Sequence, residues 1–326
     1  FLTLRTWMFF RSSAFTLRPR NNKALMPLSY PFNIPEYACR RILNAHARPF
    51  FLNFILTYRC NAQCVMCNIW KLYREDPGSA DKELSLAEIE RFISGNLEEL
   101  SQVRNIGFTG GEPLLMRQDF VQIVKIFREY LPKARMGVQT NGLNPQLARE
   151  RLKEILSFYP GFSLAVSLDG ITELHSRVRG IPQAFEKAVE TVRCARELGI
   201  RNITSGMTLN KYNYDKIKEV KDYADRLGVE FSCFLAEDSD YFQHNLSCDM
   251  GLSNTQLREI ISQLRECCGY HYFMDNLRLL LEGARKRSLP CYSGFASLVI
   301  DPYGNVKPCV LKVRGINDDT FGNIRE

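Results

Sequence analysis

A chain of 326 residues can bury one large core, or one core with a small appended module. With 45% hydrophobic and 24% charged residues it has an ordinary globular make-up, which excludes a disordered chain, and its apolar runs break well before the roughly 18 residues that a membrane-spanning helix needs. The formal charge of +7 is concentrated: residues 1–48 hold Arg5, Arg11, Arg18, Arg20, Lys23, Arg40, Arg41 and Arg48 against Glu36 alone, which accounts for the whole excess.

That basic leader mixes aromatics with arginine and has no acid in its first twenty residues. The composition suits an interfacial anchor touching a membrane surface or an organelle-targeting segment, and equally a tail packed on the body. From 49 to 236, β-rich runs at 51–57, 103–108, 134–140, 162–168, 201–209 and 229–235 alternate with amphipathic stretches at 86–99, 118–131, 145–158, 182–198 and 213–227. Ser85 and Glu88 form a capping box before the first stretch, and Gly199 and Gly228 close later ones. Six βα units with short connections predict a parallel sheet with right-handed crossovers, either curled into a partial barrel or left open. Reactive groups then belong on the loops after the strands' C-terminal ends. Past residue 236 the pattern changes to a polar loop with Cys248, helical stretches at 254–267 and 272–287, and from Pro290 a short-stranded module, SLVID, a turn at 302–305, and VKPCV.

Eleven cysteines, an odd number, argue against a secreted disulfide framework in a chain this large; clustered thiols read as metal ligands in a reducing compartment, the cytoplasm. Cys60, Cys64 and Cys67 lie in TYRCNAQCVMCNIW, directly after the first predicted strand. Three thiolates can ligate three irons of a cubane and leave the fourth without a protein ligand. Structural zinc usually brings a fourth ligand in paired knuckles, and none lies near; plain core cysteines are the other alternative, at odds with a polar loop. After the second strand, Gly110, Gly111, Glu112 and Pro113 in FTGGEPLL alone read as a tight turn. The third strand ends in QTNG and the fourth in SLDG, followed by HSRVRG. Thr140, Asn141, Ser167 and Asp169 thus place hydroxyls, an amide and a carboxylate at adjacent strand ends, while Arg179 can pair a carboxylate or stay a solvated charge. His175 reads as structural. Cys291, Gly304 and Cys309 are spaced C-x12-G-x4-C around a predicted hairpin, which brings two thiols close enough for one cluster or one disulfide. Cys194 and Cys233 read as core residues.

The spacing C-x3-C-x2-C after a strand, with the GGEP run after the next, resembles the radical S-adenosylmethionine (SAM) superfamily over roughly residues 50–326. The resemblance implies an α/β fold, a partial (β/α)6 TIM-type barrel with a small β-rich C-terminal extension, and a [4Fe–4S] cluster on Cys60, Cys64 and Cys67. It implies reductive cleavage of SAM to methionine and a 5′-deoxyadenosyl radical that abstracts hydrogen from a substrate. It also implies SAM contacts for Gly110, Gly111, Glu112 and Pro113, with the glycines admitting SAM closely, and a carboxylate contact for Arg179. Thr140, Asn141, Ser167 and Asp169 complete that pocket. Met66 stands where the family often has an aromatic beside the adenine, and Ser176 where an aspartate is frequent.

Cys291 and Cys309 resemble the start of a SPASM or twitch extension, which opens an auxiliary [4Fe–4S] site; its further ligands are expected beyond Glu326, or upstream from Cys248, Cys267 or Cys268. The domains implied are a leader (1–48), a core barrel (49–236) and a helical linker with the auxiliary module (237–326). The substrate expected is a peptide or protein side chain; the alternatives are a small anionic metabolite or lipid-linked intermediate, as for the similar cyclase of molybdenum cofactor biosynthesis, and a non-catalytic iron–sulfur protein. A flavodoxin- or ferredoxin-like electron donor is an expected partner, and nucleic acid is not.

Overall fold

The computed structural model describes residues 34–43, 46–116, 118–236, 245, 248, 250–268, 272–283, 291–309 and 320–326. The leader up to residue 33 and the loop at 237–244 lie outside them. In chain order the elements are α1 (Ile34–Ile42), β1 (Phe51–Thr57), α2 (Leu72–Glu75), α3 (Leu86–Gly95), β2 (Asn105–Gly110), α4 (Gln118–Tyr130), β3 (Arg135–Thr140), α5 (Pro145–Phe158) and β4 (Ser163–Ser167). They continue with α6 (Glu173–Arg179), α7 (Ala184–Glu197), β5 (Ile203–Leu209), α8 (Ile217–Leu227), β6 (Glu230–Leu235), α9 (Asn254–Cys268), α10 (Tyr272–Leu281), β7 (Ser297–Ile300), β8 (Asn305–Lys307) and β9 (Gly322–Asn323).

One sheet runs in the order β6-β5-β4-β3-β2-β1-β7-β8-β9. β1 to β6 pair in parallel with their sequence neighbours, as expected for a mostly parallel, partial TIM-type barrel. The C-terminal module does not form a sheet of its own. β7 pairs in parallel with β1, Phe51 opposite Ser297 through Phe54 opposite Ile300, and β8 and β9 follow antiparallel. The physical reason lies in β1: all seven residues of FLNFILT are buried, and a strand buried along its length needs a partner on both edges.

Local chemistry sets the element ends. The capping box forms, with the Glu88 N–H donating to Ser85 Oγ and the Ser85 N–H donating back to Glu88 Oε2. α3 stops at Gly95, short of the expected residue 99, where glycine and Asn96 interrupt the helix. α8 begins at Ile217 rather than 213, because Asn213 is occupied in a turn in which its Oδ1 accepts from the Asn210 N–H at 2.8 Å. Gly228 caps α8 in the left-handed region at φ 66°. Between sheet and helices, Phe54, Phe108, Phe120 and Phe127 meet edge to face at 5.3–6.0 Å, a stiff floor under the strand ends that carry the site. Among the described residues no helix is long and apolar enough to cross a membrane.

Candidate functional site

The chain leaving β1 is fastened before it reaches the first cysteine. Glu83 Oε1 accepts from Thr57 Oγ1, the Tyr58 N–H and the Tyr73 hydroxyl at 2.7, 2.9 and 2.6 Å. The loop's far side is fastened to α6: the Gln63 N–H donates to the Arg179 carbonyl at 2.9 Å and the Val65 N–H to that of Val178 at 3.0 Å. Those carbonyls lie at a helix C-terminus, where no intrahelical donor reaches them, so the loop and helix end satisfy one another. Gly180 makes the approach possible, since a Cβ there would lie 2.3 Å from the Gln63 carbonyl oxygen.

Burial pushes all three thiols up. Cys60 is raised to about 12, first by burial and then by Cys64; Cys67 is raised by burial and by Cys64. Burial raises Cys64 too, while Arg179 pulls it back down. Three neighbouring, half-buried thiols ionise together most readily around a cationic group, and soft sulfur ligands select zinc, copper(I) or an iron–sulfur cluster. Among the described residues no group of three or more Cys, His, Asp or Glu side chains is placed to hold a metal ion; by its chemistry, a set of three thiolates without a fourth protein ligand fits three irons of a cubane. N–H donors already face the sulfurs: Ala62 N at 3.4 Å and Asn141 Nδ2 at 3.8 Å from Cys60 Sγ, and Arg179 Nη1 at 3.6 Å from Cys64 Sγ.

The GGEP loop lies against the same chain. The Gly111 N–H donates to the Thr57 carbonyl and the Glu112 N–H to that of Arg59, both at 2.7 Å. A Cβ at Gly110 would stand 2.3 Å from Thr57 O, and one at Gly111 2.2 Å from Arg59 O. The close approach these glycines permit in the structure is therefore to the backbone leading into Cys60. Pro113 opens a tight turn, Pro113–Met116. Glu112 is buried, and its carboxyl accepts from Thr140 Oγ1, the Asn141 N–H and the Leu114 N–H at 2.8, 2.7 and 3.2 Å. Burial raises it to about 7 against those donors. Asn141 Nδ2 also donates to Asn61 Oδ1 at 2.8 Å, tying the end of β3 to the cysteine loop.

At the end of β4, Ser167 and Asp169 are buried. Asp169 Oδ2 is 2.6 Å from Arg179 Nη2, and its Oδ1 accepts from the Thr208 N–H at 2.7 Å. Burial opposes the Arg179 charge, and Asp169 and the Cys64 thiol more than restore it. Arg179 Nε is buried without a hydrogen-bond partner, a donor left over for an anionic ligand. His175 Nδ1 accepts from the Asp169 N–H at 2.9 Å, and burial and Arg179 hold the ring neutral. Ser176 Oγ accepts from the Ala184 N–H at 3.1 Å, joining α6 to α7. Met66 is buried with Val178 and Met250, against which Cys64, Tyr212 and Cys248 pack.

Sequence reasoning overlooked Asn210 and Asn213, both fully buried. Asn213 Nδ2 donates to the Asp169 and Thr208 carbonyls at 2.8 and 3.0 Å, steadying the Asp169 turn. An asparagine pair after a strand, NKYN, signals a turn; what it holds is a tertiary fact.

The further cysteines divide. Cys309 is buried with Ile55, Tyr58, Ile69 and Val299, and Cys60 and Cys67 pack against that group. Cys291 Sγ accepts from the Ser293 N–H at 3.5 Å. Cys267 and Cys268 have their sulfurs 3.1 Å apart and interact with Cys233 on β6, the edge strand at the other end of the sheet from β7, β8 and β9. They are placed with Cys233 and not with the hairpin, whereas Cys248 packs beside Met66.

Fold and site together define an enzyme class: a partial βα barrel with three clustered cysteines on its first loop and a GGEP turn beside them. A family model of the radical SAM superfamily matches residues 54–224, and the chain belongs to that superfamily, whose enzymes use a [4Fe–4S] cluster and SAM. The chain is 25% identical over 280 residues to the antilisterial bacteriocin subtilosin biosynthesis protein AlbA of Bacillus subtilis, covering 82% of this chain and 56% of AlbA. It is 25% identical over 259 residues to the GTP 3′,8-cyclase of Sulfurimonas denitrificans, covering 78% of this chain and 73% of that protein. Among solved structures, Streptococcus suis SuiB bound to the precursor peptide SuiA has the same fold, with a TM-score of 0.64 at 17% identity over 94% of this chain and 70% of SuiB. The chain thus spans little more than half the length of AlbA.

Proposed function

We propose that this protein is a radical SAM enzyme that modifies a peptide or protein side chain. The observation that carries the chemistry is the placing of Cys60, Cys64 and Cys67 on the one loop after β1, where Cys64 acts on both of the other thiols and the Arg179 guanidinium donates to Cys64 Sγ at 3.6 Å. Cys60, Cys64 and Cys67 would hold a [4Fe–4S] cluster, which when bound would supply the electron for reductive cleavage of SAM to methionine and a 5′-deoxyadenosyl radical. Glu112 and Arg179 take the amino and carboxylate ends of SAM, the latter through the unpartnered Nε. Thr140, Asn141, Ser167 and Asp169 shape the pocket beside the ribose, Gly110, Gly111 and Pro113 hold the loop that presents Glu112, and Met66 borders the adenine.

Support for a peptide substrate comes from the names of relatives: AlbA in subtilosin biosynthesis, the sporulation killing factor maturation protein SkfB, and SuiB with its precursor peptide. The match to GTP 3′,8-cyclases favours a second reading, a small anionic substrate. We assign the barrel to 49–236, a linker and auxiliary module to 237–326, an auxiliary cluster to Cys291 and Cys309, and the electron supply to a flavodoxin- or ferredoxin-like donor. We place the protein in the cytoplasm, on its many unclustered and clustered thiols, and the basic leader suits either a membrane surface or a tail packed on the body.

The test is anaerobic reconstitution with iron and sulfide, reduction by dithionite and assay for 5′-deoxyadenosine from SAM. Cys60→Ala, Cys64→Ala and Cys67→Ala should each abolish it; wild-type production by any one of them removes that ligand. A deuterated peptide whose label enters 5′-deoxyadenosine supports the peptide reading, and label transfer from GTP alone replaces it.

A further inference from the structure

The Arg179 guanidinium is divided between two buried partners. Nη2 pairs with Asp169 Oδ2 at 2.6 Å, with the two side chains 9% and 0% exposed, and Nη1 donates to Cys64 Sγ at 3.6 Å. Its aim is fixed from several directions. Asp169 is itself held by the Thr208 N–H on its Oδ1, by His175 on its N–H and by Asn213 on its carbonyl. The Arg179 carbonyl receives the Gln63 N–H of the cysteine loop, so side chain and backbone of one residue grip the loop that carries Cys64. A contact with SAM alone requires no hydrogen bond to a cysteine sulfur.

We propose that Arg179 is a positioning residue that sets the reduction potential of the [4Fe–4S] cluster through its hydrogen bond to Cys64 Sγ, with Asp169 as its counter-charge. This rests on the proposed function, since it needs the cluster on Cys64. One-electron reduction adds a negative charge to a cluster already ringed by three thiolates. A nearby cation and an N–H···S bond stabilise the reduced form more than the oxidised one and so raise the potential. Asp169 acts with the opposite sign. A buried, nearly dry pair acts at short range with little screening by water or salt.

The experiment is a redox titration of the reconstituted, SAM-free protein with dithionite, following the paramagnetic signal of the reduced cluster, alongside iron content and SAM affinity. Arg179→Met removes cation and donor together and leaves Asp169 uncompensated; the ratio of reduced to oxidised cluster at a fixed potential should fall at least tenfold, a shift of about 59 mV for a one-electron couple. Asp169→Asn keeps an oxygen for the Thr208 N–H and leaves Arg179 unbalanced; that ratio should rise. If Arg179→Met takes up no cluster, Asp169→Asn decides alone, and an unchanged or lowered potential overturns the inference. A role confined to the SAM carboxylate would change SAM affinity and leave the SAM-free potential where it was, which also overturns it. A wild-type protein that assembles no cubane overturns the proposed function and this inference with it, whereas an intact cubane with unmoved potentials overturns this inference alone.

Discussion

Gly180 joins the backbone of α6 to the cysteine loop, and replacing it with alanine tests that junction. Its φ of 66° and ψ of 21° are left-handed, which costs a residue with a Cβ about 1–2 kcal/mol. The added Cβ would also lie 2.3 Å from Gln63 O, against an ordinary contact of 3.4 Å or more, so the loop has to retreat by about 1 Å. A retreat of that size breaks the Gln63–Arg179 hydrogen bond and strains that of Val65 to Val178, now 2.9 and 3.0 Å, at about 1 kcal/mol each. Gly180→Ala should therefore destabilise the cluster-free protein by about 3–4 kcal/mol and reduce the iron taken up on reconstitution. Two controls separate the contributions. Gly199, at φ 88° with nothing within 4 Å of its would-be Cβ, isolates the backbone conformation, so Gly199→Ala should cost about 1–2 kcal/mol. Gly206 would meet only Ser232 Oγ at 3.9 Å, and Gly206→Ala should stay within about 0.5 kcal/mol of wild type. Urea unfolding gives the three stabilities and iron analysis the fourth number; a Gly180→Ala protein no less stable than Gly199→Ala and fully loaded with iron would refute the reasoning.

Two further outcomes follow from the same geometry. Glu112 titrates near 4.5 in an unfolded chain and at about 7 in the fold, so between those values the folded protein keeps a proton the unfolded chain has lost. Stability should fall by about 3 kcal/mol as pH rises from 4.5 to 7, relative to Glu112→Gln, and then level off; a difference between the two proteins that is independent of pH would mean that the carboxyl is ionised throughout. For the auxiliary site, replacing Cys291 and Cys309 together in a chain extended past Glu326 should lower the iron count and leave the SAM-perturbed cluster signal intact. About four irons both before and after the change would return these cysteines to plain thiols.

The six strands and the helices between them could be read in the sequence because each buries one periodic face or a continuous apolar run, a property of the residues themselves. The cysteine spacing and the GGEP turn were legible for a similar reason, being contiguous. What the glycines do was not, since Gly110 and Gly111 are constrained by the carbonyls of Thr57 and Arg59, some fifty residues earlier in the chain. The attachment of the C-terminal strands was also hidden, because SLVI states that it needs burial and not which edge supplies it. Arg179 was visible as a cation and its partner Asp169 as a carboxylate, but their pairing, and the sulfur between them and the loop, depend on how α6 is set.

α6 itself, seven residues long, falls outside the helical stretches read from the sequence, and the reason bears on function. A helix so short is marginal on its own propensity. Its first residue follows Thr172, a β-branched residue at φ 49°, a strained position that the surroundings must enforce. Its last carbonyls are satisfied by the N–H groups of Gln63 and Val65, which belong to the cysteine loop. Helix and loop therefore order one another, and the thiols that metal must deprotonate are held up by burial until it arrives. Cluster binding would then act on α6 through two routes at once, the backbone of Val178 and Arg179 and the guanidinium beside Cys64, so that filling the metal site also fixes the arginine and the Asp169 turn that border the proposed SAM pocket.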